Sequence, residues 1–180
     1  MRRVCYSVAV SLDGYLAGPN GEVDWIPMDP DVDFGELFAG FDTIVMGRGT
    51  YEAARAMGGA SIPGMRAFVV SRTLKQEDWP DVTVADNPQA LVAALKAESG
   101  KDIWLMGGGT LFRSLLRSGL VDAVEVTVCP VLLGGGVLFA PPSDSRATLS
   151  LVSHRLYAKS GLLLLRYAVV RDSDRSGDHP

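Results

Sequence analysis

A chain of 180 residues, 47% hydrophobic and 21% charged, suits one domain large enough to bury a sizeable core. A net charge of −4 leaves no general basic footprint for nucleic acid. With two cysteines and two histidines, none at ligand spacing, the composition excludes a disulfide framework and a zinc site; Cys5 and Cys129 read as buried thiols.

The chain opens with Met1-Arg2-Arg3 ahead of an apolar run, which resembles the start of a leader. Ser7 and Ser11 interrupt that run, Asp13 ends it, and no small-residue cleavage site follows. No stretch approaches the roughly 20 apolar residues of a membrane span, and a cytoplasmic protein is expected. Val4 to Val10 reads as a buried strand, Ser11-Leu12-Asp13-Gly14 as a turn, and Tyr15-Leu16-Ala17 as a short extended piece. Trp25 follows the glycine-rich loop Gly18 to Gly21, either as a plug at the core edge or as an aromatic wall beside a ligand.

Asp29-Pro30 reads as a helix start, with Phe34, Leu37, Phe38 and Phe41 forming an apolar stripe at helical spacing. On that helix Asp31 and Asp33 border the stripe. There a carboxyl either lines a cleft or complements the helix N-terminus. Thr43 to Met46 is a short strand, and Gly47-Arg48-Gly49-Thr50 leads into a helix from Tyr51 to Met57. Arg66 to Val70 is another strand, ending at Ser71-Arg72. Val82 to Val84 adds a further strand, and Asn87-Pro88 starts a helix that Gly100 stops.

Asp102 to Met106 is a buried strand running into Gly107-Gly108-Gly109-Thr110, after which Leu111, Phe112, Leu115 and Leu116 repeat at helical spacing. A helix start offers unpaired amides and the positive end of a dipole, and glycine lets a ligand touch backbone, so each strand–glycine–helix junction is a candidate phosphate cradle. The arginine fork at Arg48 suits phosphate. Strands alternating with helices imply an α/β sheet with parallel pairings, whose ligands gather at strand carboxyl ends. The ends at Gly47, Ser71 and Gly107 can converge on one ligand. The last third is β-rich: Val121 to Val128, then a hairpin of Leu149 to Tyr157 and Leu162 to Val170. Residues 1–170 are expected to form one domain and 171–180 a disordered polar tail.

Familiar dinucleotide and P-loop fingerprints fail: Phe112 and Glu52 stand where a third glycine is needed, and no Gly-Lys-Ser/Thr occurs. The ordered set Ser11-Leu12-Asp13-Gly14, Gly47-Arg48-Gly49-Thr50-Tyr51, Ser71-Arg72 and Gly107 to Phe112 resembles the dihydrofolate-reductase-like superfamily. Gly119-Leu120-Val121-Asp122 and Pro130 to Gly136 resemble its branch containing the reductase domain of the riboflavin-biosynthesis deaminase–reductase. The resemblance covers Val4 to Val170. It implies a three-layer α/β fold, with a mixed, mostly parallel sheet, an antiparallel C-terminal hairpin and flanking helices, and it implies an NADPH-dependent reductase.

By the same resemblance, Gly47, Arg48 and Thr50 would hold the cofactor phosphates. Ser71 and Arg72 would meet its 2′-phosphate side. Gly107, Gly108, Gly109, Thr110 and Leu111 would cradle the pyrophosphate and nicotinamide half, with a cis peptide between Gly107 and Gly108. Asp13, Trp25 and Phe34 fall on the substrate side, where Asp31 and then Asp33 are the candidate acids. A carboxyl set among aromatics is desolvated toward a useful acid pKa. Tyr15, Ala123 and the absence of an Asp-x-Pro segment from the loop that follows Gly47-Arg48-Gly49-Thr50 depart from the riboflavin reductases and argue against a ribityl-phosphate substrate. A small pterin-like or flavin-pathway heterocycle is the expected substrate. A non-catalytic NADP(H)-binding module is the rival reading. The apolar hairpin implies a homodimer through the C-terminal strands.

Overall fold

The computed structural model describes residues 1–59 and 62–171. Apolar runs bounded by glycine and proline become strands, in chain order β1 (Val4–Ser11), β2 (Tyr15–Ala17), β3 (Phe41–Gly47), β4 (Arg66–Val70), β5 (Thr83–Ala85), β6 (Asp102–Gly107), β7 (Ala123–Cys129), β8 (Val137–Leu138), β9 (Thr148–Tyr157) and β10 (Leu162–Val170). Among the described residues four α-helices join them: α1 (Phe34–Phe38), α2 (Arg48–Ala56), α3 (Pro88–Ala97) and α4 (Gly109–Arg117). Eight strands form one sheet in the order β5-β4-β3-β6-β1-β7-β10-β9, while β2 and β8 pair separately. From β5 to β7 every pairing is parallel; β10 then pairs antiparallel with both β7 and β9. The mixed α/β sheet with a C-terminal hairpin is the architecture expected.

Period-two alternation sorts the core. In β3, Val45 packs with Tyr6, Leu105 and the α4 residues Phe112 and Leu115 on one face. Ile44 and Met46 pack with Tyr51 of α2 and Trp104 on the other. A strand buried on both faces must be apolar throughout, which is why Ile44, Val45 and Met46 form an unbroken run. A third cluster lies under α1 and the segment before it, where Trp25, Ile26, Val32 and Leu37 cover Cys129, Leu162 and Leu164.

The first helix corrects the sequence reading. It begins at Phe34, not after Asp29, and Phe41 belongs to β3. Asp29 is committed elsewhere: its carboxylate accepts from the Asp31 amide (2.8 Å) and from the Ser160 amide (3.0 Å), and Val32 N donates to its carbonyl. Those bonds close a turn and tie it to the β9–β10 connection, so the capping role passes to Asp33, which accepts from Glu36 N at 3.0 Å.

Arg2, read as part of an abortive leader, is a buried clamp. Its side chain is 2% exposed and pairs with Asp42 and Glu98. It also donates to Lys101 O (2.5 Å), Leu95 O (3.4 Å) and Thr43 Oγ1 (2.7 Å). One guanidinium thereby joins the start of β1, the start of β3 and the last turn of α3, whose carbonyls favour a cation. A second knot forms at Asp122, which accepts from Val4 N at 2.8 Å and pairs with buried Lys96.

On the sheet face shared by Tyr167 and Val169, no described element covers β9. Val152 has no partner in the β9–β10 register, and this bulge keeps Leu149 and Leu151 on the same face as Leu156. Those three leucines are 38–64% exposed. Of the polar tail expected over 171–180, all but Arg171 lies outside the described residues.

Two outcomes follow from this packing. Arg2→Met leaves Asp42 without its principal cation and should lower unfolding free energy by about 3 kcal/mol, read as a drop in the urea midpoint with unchanged slope. Burial first, with the Glu125 carboxylate adding, pushes the Cys5 thiol up to about 12, and burial pushes Cys129 up to about 11. Neither cysteine should therefore react with a thiol-specific disulfide reagent near neutral pH in the native protein, and both should react once it is denatured.

Candidate functional site

The parallel register sets Met46 opposite Gly107, so β3 and β6 end side by side. Each strand runs straight into a helix: Gly47 is the N-cap of α2 and Gly108 the N-cap of α4. The two junctions touch, since a Cβ built on Gly47 would lie 3.8 Å from Gly108 N. Gly107 needs its glycine: φ is +142°, and a Cβ there would meet Thr50 Oγ1 at 3.2 Å. The peptide between Gly107 and Gly108 is cis.

Neither α2 nor α4 has a side-chain cap, whereas α1 is capped by Asp33 and α3 by Asn87. The two uncapped starts open on one cavity of about 1100 Å³. Their first-turn amides and dipole ends converge on space suited to an anion. This arrangement fits a dinucleotide pyrophosphate, and the residues that would hold it are Gly47, Arg48, Gly49, Thr50 and the Gly107-to-Leu111 run.

All the residues expected around a cofactor line this cavity: Gly47, Arg48 and Thr50 on the first junction, Ser71 and Arg72 after β4, and Gly107 to Leu111 on the second junction. Arg48 is half exposed beside Glu52 (3.5 Å) and donates to Thr73 Oγ1 at 3.1 Å. Ser71 is already engaged, its hydroxyl accepting from the Thr73 and Leu74 amides at 3.2 and 3.1 Å. Ser71 thus shapes the loop that carries Arg72 to the rim.

The substrate-side expectations fall elsewhere, since Asp13, Trp25, Asp31, Asp33 and Phe34 do not line the cavity. Asp13 accepts from Ser11 Oγ (2.6 Å), Gly134 N (2.7 Å) and Leu133 N (3.1 Å), binding the β1–β2 turn to the loop before β8. The Ser11 hydroxyl and those amides hold its carboxyl below the usual range. Trp25 donates through Nε1 to Glu22 O and packs in the third cluster. Asp31 is half exposed and paired with Lys159 at 2.8 Å. The desolvated acid expected at Asp31 is therefore corrected to a solvated surface ion pair, because the 29–32 turn faces the β9–β10 connection. Asp33 is spent on the α1 cap, and Phe34 is 46% exposed beside Phe38.

Several lining residues were not singled out in the sequence. Trp104 and Met106 of β6 share the face of Ser7 and Ala9 of β1, and together they floor the cavity. Alternation along β6 could have found the first two. Asp86 also lines the cavity, and no local motif marks it, whereas Thr73 continues the polar Ser71-Arg72 end of β4.

Residues 2–163 match the RibD C-terminal domain family. YyaP of Bacillus subtilis (strain 168), a protein of uncharacterised function, is 34% identical, with 92% of this chain and 94% of that protein covered. The riboflavin biosynthesis protein RibD of Mycobacterium tuberculosis (strain ATCC 25618 / H37Rv) is 30% identical across 74% of this chain, which corresponds to 44% of that longer protein. Among solved structures, a Shewanella sp. PV-4 protein assigned to riboflavin biosynthesis superposes with TM-score 0.80 at 27% identity, covering 95% of this chain and all of that one. Dihydrofolate reductase from Enterococcus faecalis, solved with NADP(H), superposes with TM-score 0.70 at 19% identity, covering 94% and 97%. The match over residues 2–163 and the shared architecture mean that this chain belongs to the RibD C-terminal domain family, on the dihydrofolate-reductase-like fold.

Proposed function

We propose that the protein is an NADPH-dependent reductase acting on a small pterin-like or flavin-pathway heterocycle. The observation that carries this reading is the pair of uncapped helix starts, α2 and α4, opening together on one large cavity. When bound, NADPH supplies the hydride. The amides at Gly47 to Thr50 and Gly108 to Leu111 would fix its phosphates. The apolar floor of Trp104 and Met106 would keep water from the ring. Arg48 and Arg72 stand at the rim where a 2′-phosphate can meet two guanidinium groups. With Asp31 and Asp33 outside the cavity, the proton for the reduced atom would come from water entering the cavity mouth.

The absence of a lining acid at the substrate end among the described residues favours one rival, a non-catalytic NADP(H)-binding module. Oxidation of NADPH with a panel of pterins and flavins separates the two readings. Tight nucleotide binding without turnover on any of them would support the module.

NADPH should bind more tightly than NADH, and Arg72→Ala should erode that preference about tenfold, the effect of one charge-assisted contact. Calorimetric titration of both nucleotides checks this, and equal affinities in the unmutated protein would refute the assignment.

We also propose a homodimer through the uncovered face of β9. Leu149, Leu151 and Leu156 form an apolar patch on the terminal strand of the sheet, where a two-fold axis would bury it against its own copy. Such an interface should exceed about 1,000 Å². Light scattering should give twice the chain mass, and Leu151→Lys with Leu156→Lys should yield a folded monomer.

A further inference from the structure

The floor of the cavity holds a hydroxyl that the reductase reading leaves unused. In the register of β1 and β6, Cys5 lies opposite Trp104, so Ser7 points to the same face as Trp104 and Met106. Ser7 also stands opposite Glu125 of β7, and Glu125 opposite Arg166 of β10. These three side chains form a chain across adjacent strands: Ser7 Oγ donates to Glu125 Oε1 at 3.0 Å, and Arg166 Nε donates to Oε2. The Glu125 side chain is only 12% exposed, so its acceptor oxygens are held in place rather than shared with bulk water. Meanwhile Trp104 Nε1 donates to Ser7 O at 2.8 Å, fixing the backbone from the other side.

The consequence is directional. A serine hydroxyl has one proton and two lone pairs, and here the proton is committed to a carboxylate. Toward the cavity Ser7 therefore presents an acceptor. The cavity walls are largely apolar, with Ala9, Leu16, Val23, Ile26 and Met57 among them. The charged lining residues follow other strands: Arg48 follows β3, two strands from β1, while Arg72 follows β4 and Asp86 follows β5, farther along the strand order. β4 and β1 are three strand spacings apart, about 14 Å. An ionised group or phosphate on a ring resting over Ser7 would find no counter-charge among the described lining residues there, and would lose its hydration.

We propose that Ser7, with its proton held by Glu125, is the specificity-determining acceptor of this cavity, and that the substrate is an uncharged ring that donates an N–H to Ser7 Oγ and carries no phosphate. The inference rests on the reductase reading for its use of the cavity, but its test does not need turnover.

Lumazine and its N,N-dimethyl derivative have the same rings with and without N–H donors, and lumazine is neutral at mildly acidic pH. Their affinities are measured by quenching of tryptophan fluorescence, with and without NADP+. The unmutated protein should prefer lumazine about tenfold, the range of one hydrogen bond left unmade. Ser7→Ala should bring the ratio near one, Ser7→Thr should keep it, and Glu125→Gln should lower it, with melting temperature as the folding control. The ratio between two ligands across variants isolates the contact from general loss of binding. Riboflavin should bind at least as tightly as flavin mononucleotide when the two are compared with NADP+ saturating. A preference that survives Ser7→Ala, binding of neither lumazine, or a tenfold gain from the flavin phosphate would overturn the proposal. Failure of NADP+ itself to bind would strike the reductase reading and leave the lumazine comparison standing.

Discussion

The parallel pairing of β3 with β6 is the constraint on which the site depends. Because Met46 and Gly107 are register partners, two helices begin side by side at the carboxyl ends of adjacent central strands. Two positive dipole ends and their unpaired amides are brought together, an arrangement that is unfavourable on its own and favourable around an anion. Side-chain caps would have relieved it, and α1 and α3 show that this chain uses such caps where no ligand is in question. At α2 and α4 glycine takes the cap position instead, leaving the amides open. The glycines also allow the approach itself, since any side chain at Gly107 would press on Thr50.

Polar groups divide sharply between holding the fold and lining the cavity. Arg2, Asp13, Asp29 and Asp122 each tie segments far apart in sequence, with their charges satisfied by backbone or counter-ions. No buried side-chain nitrogen or oxygen among the described residues lacks a hydrogen-bond partner. Such satisfied knots cost little and fix loop positions. The cavity floor at Trp104 and Met106 is by contrast apolar, relieved by Ser7 and the Glu125–Arg166 pair behind it. Membership of the RibD C-terminal domain family and a pair of open helix starts suited to phosphate are thus compatible with a neighbouring floor of its own character.

How much was legible in the chain differs by element. The strand–glycine–helix junctions at Gly47 and Gly107 were readable because a local pattern encodes them: an apolar run, glycine where backbone must be open, then helical spacing. The hairpin around Gly161 was readable for the same reason, its two β-rich runs flanking a turn with φ +76° at the glycine. The helix expected from Asp29 failed because Asp29 is recruited by Ser160, more than a hundred residues away. Capping propensity is a local preference, and one buried long-range contact outweighs it.

By itself, the sequence determined the order of elements, the alternation that buries β3 and β6 on both faces, and the two glycine junctions, all of which follow from local sterics and apolar periodicity. Only the tertiary structure decided which acids reach the cavity, because the direction of a carboxylate depends on where its loop is anchored. Asp31 was turned outward to Lys159, and Asp13 was turned to the Gly134 loop. The tertiary structure likewise set Ser7 before Glu125 and Arg166: their separations along the chain carry no pattern, and only the strand register of β1, β7 and β10 makes them neighbours.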